Sequence, residues 1–118
     1  MKILVADDEP LIIELLTEYL TAAGHEVASA DNAKTLVDLV REETPGLIFL
    51  DINMPGIRNV LISPKIKIPN EIRHVPIVAV TGNEKDKLYE LGLPGDIEVL
   101  SKPVDFSEVD AVIQRVLG

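Results

Sequence analysis

The chain has 118 residues, 47% of them apolar, no cysteine and a formal net charge of −9, which is enough for one domain with its own core, expected over residues 1–118. This composition excludes a disulfide framework, a thiolate zinc site and a cysteine nucleophile; the acidic balance and 3% aromatics argue against direct nucleic-acid binding. No apolar run approaches the ~20 residues of a membrane span and the start lacks a signal-peptide pattern, so a cytoplasmic domain is expected.

Ile3-Leu4-Val5-Ala6 opens the chain as a short apolar run, the kind that forms a strand buried on both faces. Leu11, Ile12, Leu15, Leu16, Tyr19 and Leu20 then recur at one-turn spacing, with Gly24 as the helix stop. Val27-Ala28-Ser29-Ala30 is a weaker strand, expected near an edge. Asn32 is placed to cap a second helix, whose stripe is Ala33, Leu36, Val37 and Val40. Leu47-Ile48-Phe49-Leu50 is the next strong strand.

Between Pro55 and Val75 the pattern weakens. Consecutive parallel strands need a crossover, usually a helix, but Pro64 and Pro69 interrupt one here. The spacing predicts a short or broken helix near residues 58–63, then irregular chain. Ile57, Leu61, Ile62, Ile66 and Ile68 read as core or as an apolar patch for a partner. Ile77-Val78-Ala79-Val80 follows as a third strong strand, and Asn83 can cap a short helix through Leu91, stopped by Gly92. Ile97-Glu98-Val99-Leu100 is a second weak strand. Asp105-Phe106-Ser107-Glu108 has capping-box spacing before a stripe of Phe106, Val109, Val112, Ile113 and Val116. Tyr19 and Phe106 are expected in the core.

Strand and helix thus alternate five times. The pattern predicts an α/β fold, a doubly wound parallel sheet with helices on both faces. Ligands of such sheets sit at the carboxyl ends of the strands. Asp7 and Asp8 follow the first strand, Asp51 the third, Thr81 the fourth and Lys102 the fifth. Three carboxylates gathered away from water repel one another unless a cation lies between them. With only oxygen ligands on offer, and with His25 and His74 away from these ends, the expected ion is magnesium. Asn53 can add its backbone carbonyl. An ammonium, a hydroxyl and a metal around one carboxylate suit phosphoryl transfer, which is mainly positioning and charge neutralisation. Asp51, on the central strand, is the expected nucleophile. Gly82 would leave room for the phosphoryl group, and a cis bond before Pro103 would aim the Lys102 amine at the cluster.

Four motifs in order, Val5-Ala6-Asp7-Asp8-Glu9, Leu50-Asp51-Ile52-Asn53-Met54-Pro55-Gly56, Val80-Thr81-Gly82 and Ser101-Lys102-Pro103, resemble the receiver domain of two-component response regulators. The resemblance implies a five-stranded, flavodoxin-like sheet of order 2-1-3-4-5. It implies that Asp51 takes a phosphoryl group from a sensor histidine kinase or a histidine phosphotransfer protein. Asp7, Asp8, Asp51 and the Asn53 carbonyl would hold magnesium, and Thr81 and Lys102 would contact the phosphoryl oxygens. The first helix and the loop after the fifth strand, here residues 10–20 and 103–106, would meet the donor. A downstream protein or an attached effector domain would read the result, with no enzymatic activity beyond the domain's own phosphoryl transfer and dephosphorylation. Three features depart from the family. Val99 stands where an aromatic is frequent, the crossover after the Asp51 loop carries prolines, and Gly92-Leu93-Pro94-Gly95 shortens the next helix. Other readings of the same residues are an interaction module that signals without phosphorylation and a hydrolase of small phosphate esters. The hydrolase lacks a cap domain and has Asn53 where a second acid would serve.

Overall fold

Five parallel strands form one sheet in the computed structural model, which describes residues 1–54, 56, 75–82 and 98–117. The strands are β1 (Lys2–Ala6), β2 (Glu26–Ala30), β3 (Leu47–Asp51), β4 (Ile77–Thr81) and β5 (Glu98–Ser101). Their order is β2-β1-β3-β4-β5, as the resemblance implied. The two weak apolar runs, β2 and β5, are the edges. The described helices are α1 (Pro10–Ala22), α2 (Ala33–Glu43) and α3 (Phe106–Leu117). The expected helices near residues 58–63 and after Asn83, the apolar residues 57–68 and His74 lie outside the described residues.

Successive strand side chains point to opposite faces, and this splits the core in two. Leu4, Ala6, Ile48, Leu50 and Ala79 pack with Ala33, Leu36 and Val40 of α2. Ile3, Val5, Leu47, Phe49, Val78, Val80 and Leu100 pack with Ile12, Leu16 and Leu20 of α1 and Val109 and Val112 of α3. Continuous apolar runs are therefore required, because β1, β3 and β4 have no solvent face.

The helix boundaries follow local chemistry. The Asn32 side chain accepts a hydrogen bond from the Thr35 N–H at 2.9 Å, capping α2. Gly24 takes φ +96°, while its N–H donates to the Thr21 carbonyl (3.0 Å) and the His25 N–H to the Leu20 carbonyl (3.0 Å). That pair of bonds is the Schellman closure of α1. Asp105 Oδ1 accepts from the Ser107 N–H (2.9 Å) and hydroxyl (2.7 Å) at the start of α3. These bonds hold the Asp105 carboxyl below the usual carboxylate range.

Two expectations are corrected. The α1 stripe is narrower than its apolar residues suggest: Leu11 is 62% and Leu15 37% exposed, whereas Ile12, Leu16 and Leu20 are buried. Leu11 and Leu15 precede two of those buried residues by one position, which turns them about 100° away from the sheet. Phe106 is not core. It is 36% exposed and stacks on Tyr19 with ring centroids 4.2 Å apart. Tyr19 is half-buried against the α1-side core, and the Phe106 ring stacks on it from the more exposed side.

Candidate functional site

The parallel register brings the polar strand ends together. Asp51 lies opposite Val80, and Thr81 opposite Ser101. The Lys102 N–H donates to the Thr81 carbonyl at 2.8 Å, extending the β4–β5 ladder by one step. On the other side of β3, the Asp7 N–H donates to the Ala30 carbonyl at 3.0 Å. Asp7 and Asp51 are therefore held by backbone at the ends of neighbouring strands.

Each buried carboxylate is fixed by a local bond. Asp7 Oδ1 accepts from the Glu9 N–H at 2.8 Å, and Asp51 Oδ1 from the Asn53 N–H at 2.9 Å. Asp7 and Asp51 are buried, as is Thr81, and Asp8 is exposed. Asp7, Asp8 and Asp51 each place a carboxylate oxygen within 4.8 Å of the other two. Lys102 Nζ reaches into this group, 3.2 Å from Asp7 Oδ2 and 3.7 Å from Asp51 Oδ2. The peptide bond between Lys102 and Pro103 is cis, as expected. The Thr81 hydroxyl is buried without a hydrogen-bond partner among the described residues.

The electrostatics are unbalanced. Burial raises the Asp51 pKa most; Asp7 and Asp8 raise it further, while the Asn53 N–H and Lys102 lower it. The result is a carboxyl pushed up to about 7. At Lys102, burial opposes the charge, yet Glu9, Asp51 and Asp7 outweigh it and the pKa is raised. Lys102 thus stays an ammonium. Asp7, Glu9 and Asp51 face this cation, and Asp8 adds a further carboxylate to the cluster. An all-oxygen donor set with surplus negative charge fits a hard divalent cation such as magnesium.

All six candidate residues are gathered at this edge. Asn53 is exposed there and contributes its N–H to Asp51. A Cβ added at Gly82 meets no atom within 4 Å among the described residues. Val99 packs half-buried against the α2-side core. His25 adjoins the amino end of β2, opposite the site, with Nδ1 3.4 Å from the terminal amine. One site residue was missed as a participant. Glu9 Oε1 lies 2.7 Å from Lys102 Nζ, a contact across 93 positions that no local pattern signals.

Residues 3–114 match the response regulator receiver domain family. The chain belongs to this family. Among its relatives, protein PilH of Pseudomonas aeruginosa is 33% identical over 119 residues, covering 99% of this chain and 98% of PilH. The polar-differentiation response regulator DivK of Brucella anthropi is 28% identical over 121 residues, covering 99% and 96%. Among solved structures, the chemotaxis protein CheY4 of Vibrio cholerae has a TM-score of 0.77 at 22% identity, covering 98% of this chain and 97% of that one. The receiver domain of NtrX from Brucella abortus has a TM-score of 0.74 at 25% identity, covering 98% and 97%. The protein is a response regulator receiver domain of a two-component system. Receiver domains bind magnesium at an acidic pocket and work with histidine kinases and downstream targets, and Asp7, Asp8 and Asp51 form an acidic cluster that could hold a metal ion.

Proposed function

We propose that Asp51 is the phosphoryl acceptor of this receiver domain, which occupies residues 1–118, and that the donor is a phosphohistidine on a sensor kinase or phosphotransfer protein. An Asp51 carboxylate oxygen attacks phosphorus, and the P–N bond breaks. The electron pair stays on the imidazole nitrogen, so a ring protonated on its other nitrogen leaves neutral. Aspartyl phosphate is the product. Bound magnesium would supply positive charge for the phosphoryl oxygens, held by Asp7, Asp8, Asp51 and the Asn53 carbonyl. Lys102 donates to a phosphoryl oxygen from its place between Asp7 and Asp51. The Thr81 hydroxyl gains a partner in another phosphoryl oxygen, which biases an existing equilibrium between two surface arrangements.

The observation that carries this reading is the convergence itself. Asp7 and Asp51 are buried at the ends of adjacent strands, Lys102 Nζ lies within 3.7 Å of both, and Thr81 is buried with a hydroxyl unpartnered among the described residues. The outward faces of Leu11 and Leu15, with Phe106 stacked on Tyr19, support a docking rim for the donor along α1 and the start of α3. The domain would act in the cytoplasm and catalyse only its own phosphoryl transfer and hydrolysis. No described helix is long and apolar enough to cross a membrane.

The test is intact mass after incubation with magnesium and acetyl phosphate. The wild type is expected to gain one phosphoryl group, and Asp51→Asn none. Phosphorylation that persists in Asp51→Asn would overturn the acceptor.

A further inference from the structure

We propose that Glu9 is a positioning residue that holds Lys102 in the unphosphorylated domain and yields it when a phosphoryl group arrives. The inference rests on Asp51 being the acceptor. The distances order the partners of the ammonium. Glu9 Oε1 is at 2.7 Å, Asp7 Oδ2 at 3.2 Å and Asp51 Oδ2 at 3.7 Å. The first is at the short end for a charge-assisted bond, and the last is too long for a hydrogen bond. At rest, Lys102 is therefore bonded to Glu9 and only near the acceptor.

The placement of Glu9 suits this role. It is the N-cap of α1, where a side-chain oxygen normally accepts from the first turn, yet it makes no such bond. Pro10 follows at the first helical position and removes one of the amides needing a cap. The backbone is tied down on both sides. The Glu9 N–H donates to Asp7 Oδ1, and the Glu9 carbonyl accepts from Ile12 and Ile13 at 3.1 and 3.2 Å. The side chain is 56% exposed, against 17% for Lys102. Glu9 can thus swing into water at little cost, whereas Lys102 is enclosed. A phosphoryl group on Asp51 brings new anionic oxygens to the lysine. Its three N–H donors then turn toward them, and the Glu9 carboxylate, left beside a like charge, moves away. Glu9 therefore opposes phosphorylation by competing for Lys102.

The test compares wild type, Glu9→Gln and Glu9→Ala with acetyl phosphate as donor. The half-saturating donor concentration is expected to fall roughly three- to tenfold in both variants at low salt, and the difference should shrink in high salt. In the Lys102→Gln background the Glu9 effect should largely vanish, since the cation that Glu9 acts through is gone. Proton exchange at the Lys102 ammonium, followed by nitrogen-15 NMR of the unphosphorylated protein, should quicken in both variants. A helix-capping role would not move that signal. Unchanged donor dependence in variants of a wild type that does accept phosphate overturns the role of Glu9 and leaves Asp51 as acceptor. An effect of full size in the Lys102→Gln background also overturns it, since Glu9 would then act on the donor directly. A wild type that takes no phosphoryl group removes the acceptor reading instead, and the ammonium exchange still decides whether Glu9 holds Lys102.

Discussion

Burial opposes the Asp51 charge most, and Asp7 and Asp8 add to it beyond what the Asn53 N–H and Lys102 offset. Exchanging the carboxylate for an amide of the same shape removes that conflict. Asp51→Asn is therefore expected to stabilise the metal-free protein by about 1–3 kcal/mol in urea unfolding at pH 7.5. It should also abolish most of the stabilisation that magnesium gives. A lower urea midpoint for the variant without magnesium would contradict the electrostatic account. Thr81 poses a similar conflict on a smaller scale. Its hydroxyl is buried without a partner among the described residues, and such a group costs about 1–3 kcal/mol in desolvation. Thr81→Val keeps the shape and drops the hydroxyl. It should unfold at higher urea than wild type yet hold less phosphoryl group at steady state, a trade of stability for function.

At the scale of elements, α1 carries two apolar faces with different tasks. Ile12, Leu16 and Leu20 hold it to the sheet, while Leu11 and Leu15 face outward. Leu15→Asp is expected to leave folding and acetyl phosphate reactivity nearly unchanged. Transfer from a cognate phosphohistidine protein should fall at least tenfold, about the 1–3 kcal/mol of one lost apolar contact. Equal losses with both donors would place Leu15 in the fold and not in docking. The end of α1 depends on Gly24, whose positive φ favours a residue without a side chain. A Cβ there meets nothing within 4 Å, so Gly24→Ala should cost only the backbone strain, about 1 kcal/mol, read as a lower melting temperature. The positions of Gly24 and Asn32 were legible because caps are local chemistry. The outward turn of Leu11 and Leu15 was not, because a run of apolar residues does not say which of them meets the sheet.

For the whole molecule, the raised Asp51 pKa links stability to pH. The folded carboxyl titrates near 7 and the unfolded one near 3.8. The folded state therefore binds more protons between these values, and stability falls as pH rises through that window. At roughly 1.4 kcal/mol per unit, the total is on the order of a few kcal/mol. Asp105 acts with the opposite sign and lower down: its depressed carboxyl contributes stability that is lost as pH falls below the usual aspartate range. Urea midpoints of the metal-free protein should decline from about pH 4.5 to 7.5, and saturating magnesium should flatten the decline. A flat metal-free profile would show that the carboxylate cluster is better compensated than its geometry implies.

The sequence by itself determined the five strands, the doubly wound class, the weak edges and the six polar residues that the fold gathers at one edge. These follow from period, β-branched runs and the polar residue that ends each run, all local features. Pro64 and Pro69 marked the segment after Asp51 as the one where a regular helix was hardest to predict. Only the tertiary structure decided how those strand ends interact. The register of β4 against β3 and β5 sets the distances among Asp51, Thr81 and Lys102. The packing of α3 against α1 puts Phe106 on Tyr19. Side chains 93 positions apart bring Glu9 to Lys102. Such contacts are set by how separately formed elements dock, and no local pattern in the chain encodes the partner.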